Sequence, residues 1–338
     1  STQLFLPEYE DEISTSFVVD SWYKKSLWLY LLYPFSLIFS YLTNRRRRKY
    51  IKNKVSSYKS NIPIIVVGNL TIGGTGKTPL VKYIATQLIS KGYKPGIVSR
   101  GYGGKFKETL QVTKDTSVKE TGDEAQILAK LNIPFYIDKN RLRAVKTITD
   151  NHDCDVIISD DGLQHYKMAR DIEIIVIDGK RRFGNNLTFP AGPLRETKSR
   201  LKTVDFIVNN SGPTEDNEYL MNISPSKFVH LKSGKSYSVE DWPMHKQVHA
   251  VAGLGNPGRF FDLLDKLGFD IIKHPYPDHH VFSSSDVFYL DHLPIIMTEK
   301  DASKCKDFDI NKIWYLTIDA DVNEKFINEL DDKLKSFT

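Results

Sequence analysis

Cysteine is nearly missing from this chain: Cys154 and Cys305 are far apart and lack metal-ligand spacing. That excludes a disulfide framework and a cysteine-built zinc centre, and it points to a reducing compartment. Internal repeats are absent, and so is any low-complexity tract beyond one basic block, Arg45 to Lys49. A comfortable membrane span is lacking too. The uncharged stretch 26–44, "SLWLYLLYPFSLIFSYLTN", is borderline against the roughly 20 apolar residues a bilayer requires, and Pro34 is expected to kink it. No small-residue cleavage site follows, and the positive charge lies mainly on the wrong side for a secretory signal.

What is present describes an ordinary globular protein long enough for two domains. Of its 338 residues 40% are hydrophobic and 26% charged, which leaves ample material for a core. The formal net charge of +5 is unevenly placed, because Lys52 and Lys54 extend the Arg45 to Lys49 block. Beside the aromatic-rich stretch 26–44, this block reads as a helix in the membrane interface, with its basic end on anionic lipid. A buried core helix followed by a solvated charge run is the plain alternative. A nucleic-acid arm is disfavoured, because no aromatic-interleaved basic pattern recurs, so no nucleic-acid partner is expected.

The run "IPIIVVGNL" followed by "TIGGTGKTP" is the most informative stretch. β-Branched residues 64–67 suit a strand buried on both faces of a parallel sheet. The loop Thr71, Ile72, Gly73, Gly74, Thr75, Gly76, Lys77 and Thr78 then offers free backbone N–H groups at a helix start, as a phosphate requires. Lys77 would reach the β- and γ-phosphates, and the Thr78 hydroxyl would coordinate Mg²⁺. Thr71 stands where the strict P-loop pattern has its first Gly. The preceding strand and the helical pattern of Leu80, Val81, Ile84, Ala85 and Leu88 compensate for that departure.

Further along, "KPGIVS", "IPFYI", "DVIISDDG" and "DIEIIVID" read as strands alternating with helices, so a doubly wound parallel sheet is expected. Its polar motifs fall at strand ends, among them Arg100 and the pair Asp160 and Asp161. The acidic pair reads as the Mg²⁺ partner of the P-loop, against the plain alternative of an Asx turn. Residues 211–246 become polar and turn-rich and are expected to be an inter-domain connection. Beyond them a smaller α/β unit follows. Its "GLGNPG" reads as a turn and helix start rather than a second cofactor site. The expected division is 22–54 for the membrane-associated segment, 55–210 for the P-loop domain, 211–246 for the linker and 247–338 for the C-terminal domain.

Asp123 and Glu124 of "TGDEAQ" sit at an expected helix start, where they either complement the helix dipole or supply a base for an acceptor hydroxyl. In "PYPDHHVFS", His279 and His280 are either one surface and one packed histidine, or include one that tunes a carboxylate.

Together "VGNLTIGGTGKTP", "SRGYGG", "GDEAQ", "SDDGLQHYKMARDIEIIVID", "FPAGPLRE", "AGLGNPGRFF", "PDHH" and "MTEKDASK" resemble the tetraacyldisaccharide 4'-kinase family of lipid A biosynthesis, in order, from about residue 22 to the C-terminus. The resemblance implies ATP-dependent phosphorylation of the 4'-hydroxyl of a tetraacylated glucosamine disaccharide 1-phosphate, giving lipid IVA, at the cytoplasmic face of the bacterial inner membrane. It also implies an α/β/α kinase domain, a second α/β domain and a membrane-docked N-terminal helix. Carried over by motif, residues 71–78 bind ATP, and Thr78, Asp160, Asp161 and Glu196 hold Mg²⁺. Asp123 and His279 form the catalytic pair beside Lys77, and Arg100, Tyr102 and Arg141 touch phosphate or substrate. The rivals are a regulatory or metallochaperone-type P-loop GTPase and a non-catalytic nucleotide-binding membrane protein. A GTPase reads guanine through N-K-x-D, whereas here Lys300 is adjacent to Asp301 in "TEKD".

Overall fold

The computed structural model describes residues 17–24, 26–52, 57–254, 257–277 and 280–337. Two helices open it, α1 (Phe17–Tyr23) and α2 (Tyr33–Ile51), separated by a tighter helical segment at Leu27–Leu32. An alternating α/β half follows: β1 (Ile64–Gly68), α3 (Lys77–Ser90), β2 (Pro95–Ser99), β3 (Leu110–Gln111), α4 (Val118–Thr121) and α5 (Asp123–Ala129), then β4 (Phe135–Ile137), α6 (Arg141–Asn151), β5 (Val156–Asp160), β6 (Ile172–Asp178) and β7 (Phe206–Asn210). The chain continues through β8 (Glu218–His230), β9 (Ser236–Ser238), β10 (Gln247–Gly253), α7 (Gly258–Lys266) and β11 (Asp270–Tyr276), and ends with β12 (Ile295–Thr298), α8 (Glu299–Ser303), β13 (Ile313–Val322) and α9 (Glu324–Lys335).

All the strands join one sheet in the order β11-β10-β12-β13-β8-β7-β6-β1-β5-β2-β4-β3, with β9 beside β8. β1 lies between β5 and β6, parallel to both, and every one of its residues is buried. Its side chains alternate between two cores. Ile65 and Val67 pack with Leu80, Val81, Ile84 and Leu88 of α3, whereas Ile64 and Val66 pack with Ala144, Val145 and Ile148 of α6. Fully burying side chains of this size contributes about 1.5–3 kcal/mol each, so the unbroken apolar run holds β1 central. Val67 is level with Asp160 across the β1–β5 pair. The P-loop and the acidic pair therefore leave the sheet at the same end, the carboxyl end where ligands of doubly wound folds gather.

The stretch 211–246 departs from the expected irregular connection, because it contains the 13-residue β8. Only Met221 and Phe228 of that strand are buried, so its sequence looks polar although its backbone pairs with β13 along most of its length. β8 runs parallel to β7 and antiparallel to β13, and so joins the two halves into one sheet. α9 also crosses the expected division: Phe326, Ile327, Leu330 and Leu334 lie in the same core as α3. Pro34 does not kink a helix either. It stands in the first turn of α2, where its missing N–H is harmless.

α2 is amphipathic in an inverted sense. The side facing the protein carries Ser36, Phe39, Ser40, Thr43 and Arg47, while Phe35, Leu37, Ile38 and Tyr41 are exposed, as are Leu27, Tyr30 and Leu31 before it. Among the described residues no helix is long and apolar enough to cross a membrane.

Candidate active site

The P-loop is held by side-chain amides that tie down its carbonyls. Asn69, fully buried, donates from Nδ2 to the carbonyls of Thr71 (2.8 Å) and Gly73 (3.2 Å). Asn210, at the end of β7, donates to the carbonyl of Thr75 (3.0 Å). The Ile72 amide is taken by the Pro193 carbonyl, and with those carbonyls turned to the protein the loop amides from Gly73 onward are left for an anion, the arrangement of a phosphate nest. Gly76 adopts φ +94° just before α3, and a Cβ there would lie 2.6 Å from Asn210 Nδ2, so only glycine fits. A Cβ at Gly73 or Gly74 would meet nothing within 4 Å. That open space is where a phosphate chain has room to approach.

Lys77 opens α3 and places Nζ 3.3 Å from Asp161 Oδ1, with Arg195 Nη1 at 3.6 Å from the same oxygen. Burial alone would raise the Asp161 carboxyl, but the Lys77, Arg195 and Arg141 charges outweigh it and hold the group far below the usual carboxylate range. Its neighbour behaves oppositely. Burial, with the nearby negative charge of Glu124, pushes Asp160 up to about 7, and its Oδ1 is buried with no hydrogen-bond partner. An orphaned acceptor of this kind fits a cation, since Mg²⁺ is usually bound by one or two carboxylates plus phosphate oxygens and water.

Two expected site residues have other employment. Glu196 is buried with both oxygens engaged: Tyr166 Oη donates at 2.6 Å, Gln164 Nε2 at 3.1 Å, and Arg200 Nε lies 3.6 Å away. Among the described residues no three His, Cys, Asp or Glu side chains converge as a metal-ligand set. Arg141 is buried as well, and its Nη2 donates to the backbone carbonyls of Asp161 (2.5 Å) and Asp160 (3.3 Å). The guanidinium braces the acidic turn from within.

Asp123 begins α5 and is approached by two lysines of the C-terminal half, Lys300 Nζ at 3.7 Å and Lys304 Nζ at 3.4 Å from Oδ2. The "TEKD" stretch makes this possible. Asp301 is fully buried and accepts from the Gly253 amide (2.9 Å) and the Thr298 hydroxyl (2.7 Å). That fixes α8 so that its lysines point at α5, and Glu299 pairs with Lys130 at 2.6 Å. A buried Asp301 is in no position to read a guanine. The "RGYGG" loop abuts the same corner, for a Cβ on Gly122 would fall 1.9 Å from the Tyr102 carbonyl. Arg100 and Tyr102 are exposed on that loop. His279, the expected partner of Asp123, lies outside the described residues.

Asn69, Asn210, Arg195, Lys300 and Lys304 were given no role at the site from the sequence. Asn69, Arg195 and the two lysines stand inside quoted motifs, "VGNLTIGGTGKTP", "FPAGPLRE" and "MTEKDASK", whereas Asn210 carries no local signal.

Comparison with known proteins follows the same lines. Residues 28–335 match the family described as "Tetraacyldisaccharide-1-P 4'-kinase". A tetraacyldisaccharide 4'-kinase of Legionella pneumophila (strain Corby) is 46% identical over 312 residues, 92% of this chain and 95% of the relative. That of Ruthia magnifica subsp. Calyptogena magnifica is 45% identical over 307 residues, 90% and 97% of the two chains. Among solved structures, an "apo" form of LpxK from Aquifex aeolicus in complex with ATP superposes with a TM-score of 0.80 at 27% identity, covering 92% of this chain and 99% of its own.

Proposed function

Since this chain belongs to the tetraacyldisaccharide 4'-kinase family and is an ATP-dependent kinase of lipid A biosynthesis, we propose how its residues perform the transfer. The observation that carries the reading is the P-loop whose carbonyls are pinned by Asn69 and Asn210 while its amides from Gly73 onward stay available. Residues 71–78 grip the ATP phosphates. Lys77 and Arg195, already gathered at Asp161, lie where negative charge builds on the γ-phosphoryl group. Asp160 and Thr78 are the residues that would hold Mg²⁺, with Asp161 beside them, and the ion would neutralise charge between the β- and γ-phosphates.

The acceptor is the 4'-hydroxyl of the tetraacylated disaccharide 1-phosphate. Asp123 takes its proton as the oxygen attacks in line, and Lys300 and Lys304 orient the carboxylate. His279 is its proposed partner, and Arg100 and Tyr102, exposed on the adjacent loop, contact the substrate. The apolar outer face of 27–42 rests in the bilayer interface, with Arg45, Arg46 and Arg48, exposed on α2, toward anionic headgroups at the cytoplasmic face of the inner membrane. A lipid acceptor and an inverted helix thus meet on one surface. The division into a P-loop half and a C-terminal half is functional in this reading, since the first grips the phosphates and the second supplies the lysines around the base.

The test is transfer of labelled γ-phosphate to the purified disaccharide lipid in mixed micelles. Lys77→Ala is expected to lower kcat by at least about 100-fold while the fold is retained. A folded variant within fivefold of the parent would remove Lys77, and with it this use of the loop.

A further inference from the structure

Loop 187–196 touches α2 at one end and the nucleotide site at the other. Ser36 of α2 donates to the carbonyl of Thr188 (2.7 Å), and Thr188 donates back from Oγ1 to the carbonyl of Ser36 (3.0 Å). The Ser36 hydroxyl also accepts from the Ala191 amide (2.9 Å), and Ser40 pairs with the Thr188 hydroxyl at 2.7 Å. Trp22 adds a bond from Nε1 to the Pro190 carbonyl at 3.1 Å. Ser36 and Thr188 are buried, so these bonds form a clasp shielded from water.

The far end of the loop is sewn to the P-loop. Leu194 bridges both Thr188 and Thr71. The Ile72 amide donates to the Pro193 carbonyl (2.8 Å), and the Arg195 amide donates to the Leu70 carbonyl (2.7 Å). Arg195 then extends to Asp161, and Glu196 takes Gln164, which itself donates to the carbonyl of Asn69 at 3.3 Å. A few residues therefore connect the membrane-facing helix to the start of the phosphate loop and to the arginine beside it.

We propose that loop 187–196 is a coupler: the seating of α2 sets the position of the P-loop and Arg195, with Ser36 and Thr188 as positioning residues for phosphoryl transfer. The inference rests on the kinase reading for its readout, and on the membrane reading only for what would move α2. A helix shifted on the bilayer moves the Thr188 and Ala191 backbone through four hydrogen bonds, and two backbone bonds carry that shift to residues 70–72. Neither Ser36 nor Thr188 touches the P-loop itself in this scheme.

Thr188→Val keeps shape and removes the hydroxyl; Thr188→Ser keeps the hydroxyl. With lipid in mixed micelles, Thr188→Val is expected to raise KM for ATP and lower kcat by about three- to tenfold each, the scale of one or two neutral hydrogen bonds. KM for the disaccharide lipid should stay unchanged, and Thr188→Ser should lie within twofold of the parent. A folded Thr188→Val with unaltered ATP kinetics, or a change in lipid KM alone, would overturn the proposal. Should that variant not fold, Ser36→Ala is read by hydrogen exchange at the Ile72 amide. Exchange at least about tenfold faster supports the coupler, and unchanged exchange refutes it. Failure of the membrane reading looks different: the parent protein would not sediment with anionic vesicles, while the kinetic shifts of Thr188→Val would persist in micelles.

Discussion

Replacing Asp160 with asparagine should make the nucleotide-free protein more stable at pH 8 while disabling it. Burial and the nearby Glu124 charge raise the carboxyl from its ordinary 3.8 to about 7. A raised acid is favoured in its protonated form, so its stability contribution is fully present below about pH 4 and is lost as pH rises through 7. The loss approaches about 4 kcal/mol, and a realistic gain for Asp160→Asn at pH 8 is about 2–4 kcal/mol, because the new buried amide must itself find hydrogen-bond partners. In a chain of this length that corresponds to a rise of several degrees in melting temperature. The bracing bonds from Arg141 go to backbone carbonyls and survive the substitution. Thermal unfolding of both proteins without nucleotide or divalent cation, at intervals from pH 4 to 8.5, is the assay. The gain should vanish near pH 4, grow by about 1.4 kcal/mol per pH unit and level off near 7. A gain independent of pH, or a variant less stable at pH 8, would refute the idea that this carboxylate is held in readiness for a cation.

Two other outcomes follow from the geometry. Leu31→Asp combined with Phe35→Asp should cut sedimentation with anionic vesicles by at least about tenfold, since burial of each side chain is worth about 1.5–3 kcal/mol. ATP affinity should hold, and unchanged sedimentation would discard the apolar face as the anchor. These substitutions are cleaner than deleting the segment, which would also remove the Ser36 clasp. Lys304→Met should slow transfer by about 10- to 100-fold, because the Asp123 carboxylate loses one of the two lysines that orient it. Combined with Asp123→Ala it should cost little beyond Asp123→Ala alone. Multiplicative losses in the single-turnover cycle would show that Lys304 serves elsewhere.

The parallel half of the fold was legible because burial on both faces leaves an unmistakable mark: β1, β5 and β6 are nearly unbroken runs of Ile and Val. β8 was hidden by the opposite circumstance. Its backbone pairs with β13 along most of its length, yet only Met221 and Phe228 are buried and Tyr219 and Ile223 lie half-buried at the edge of a core, so its hydrophobicity shows no alternation that reports a strand. The glycines and Lys77 of the P-loop could be read because they form one short segment. Asn69 does its work two and four residues ahead, inside the motif, whereas Asn210 reaches the loop across a tertiary contact and resembles any polar residue closing a strand. Arg141 and Glu196 show a related difficulty. A motif places both near the site, but only packing shows that one braces backbone carbonyls and the other is enclosed by Tyr166, Gln164 and Arg200.

The inverted helix raises a physical question that the clasp answers. A helix turning Leu, Phe and Tyr outward gains little hydrophobic stabilisation against the protein beyond the Phe39 and Tyr50 ring contacts, so something else must fix its register there. Ser36, Ser40 and Thr188 supply it with reciprocal hydrogen bonds, reinforced by the edge contacts of Trp22 and Phe39 with the Phe189 ring. Bonds between neutral groups are each worth only about 0.5–1.5 kcal/mol net, but a buried donor left unmade costs about 1–3 kcal/mol, so the clasp is specified sharply without being strong. Such a joint keeps a helix in one register while letting modest forces shift it. The loop that completes the joint also pairs with Leu70 and Ile72, and any such shift is therefore felt where the phosphates are gripped.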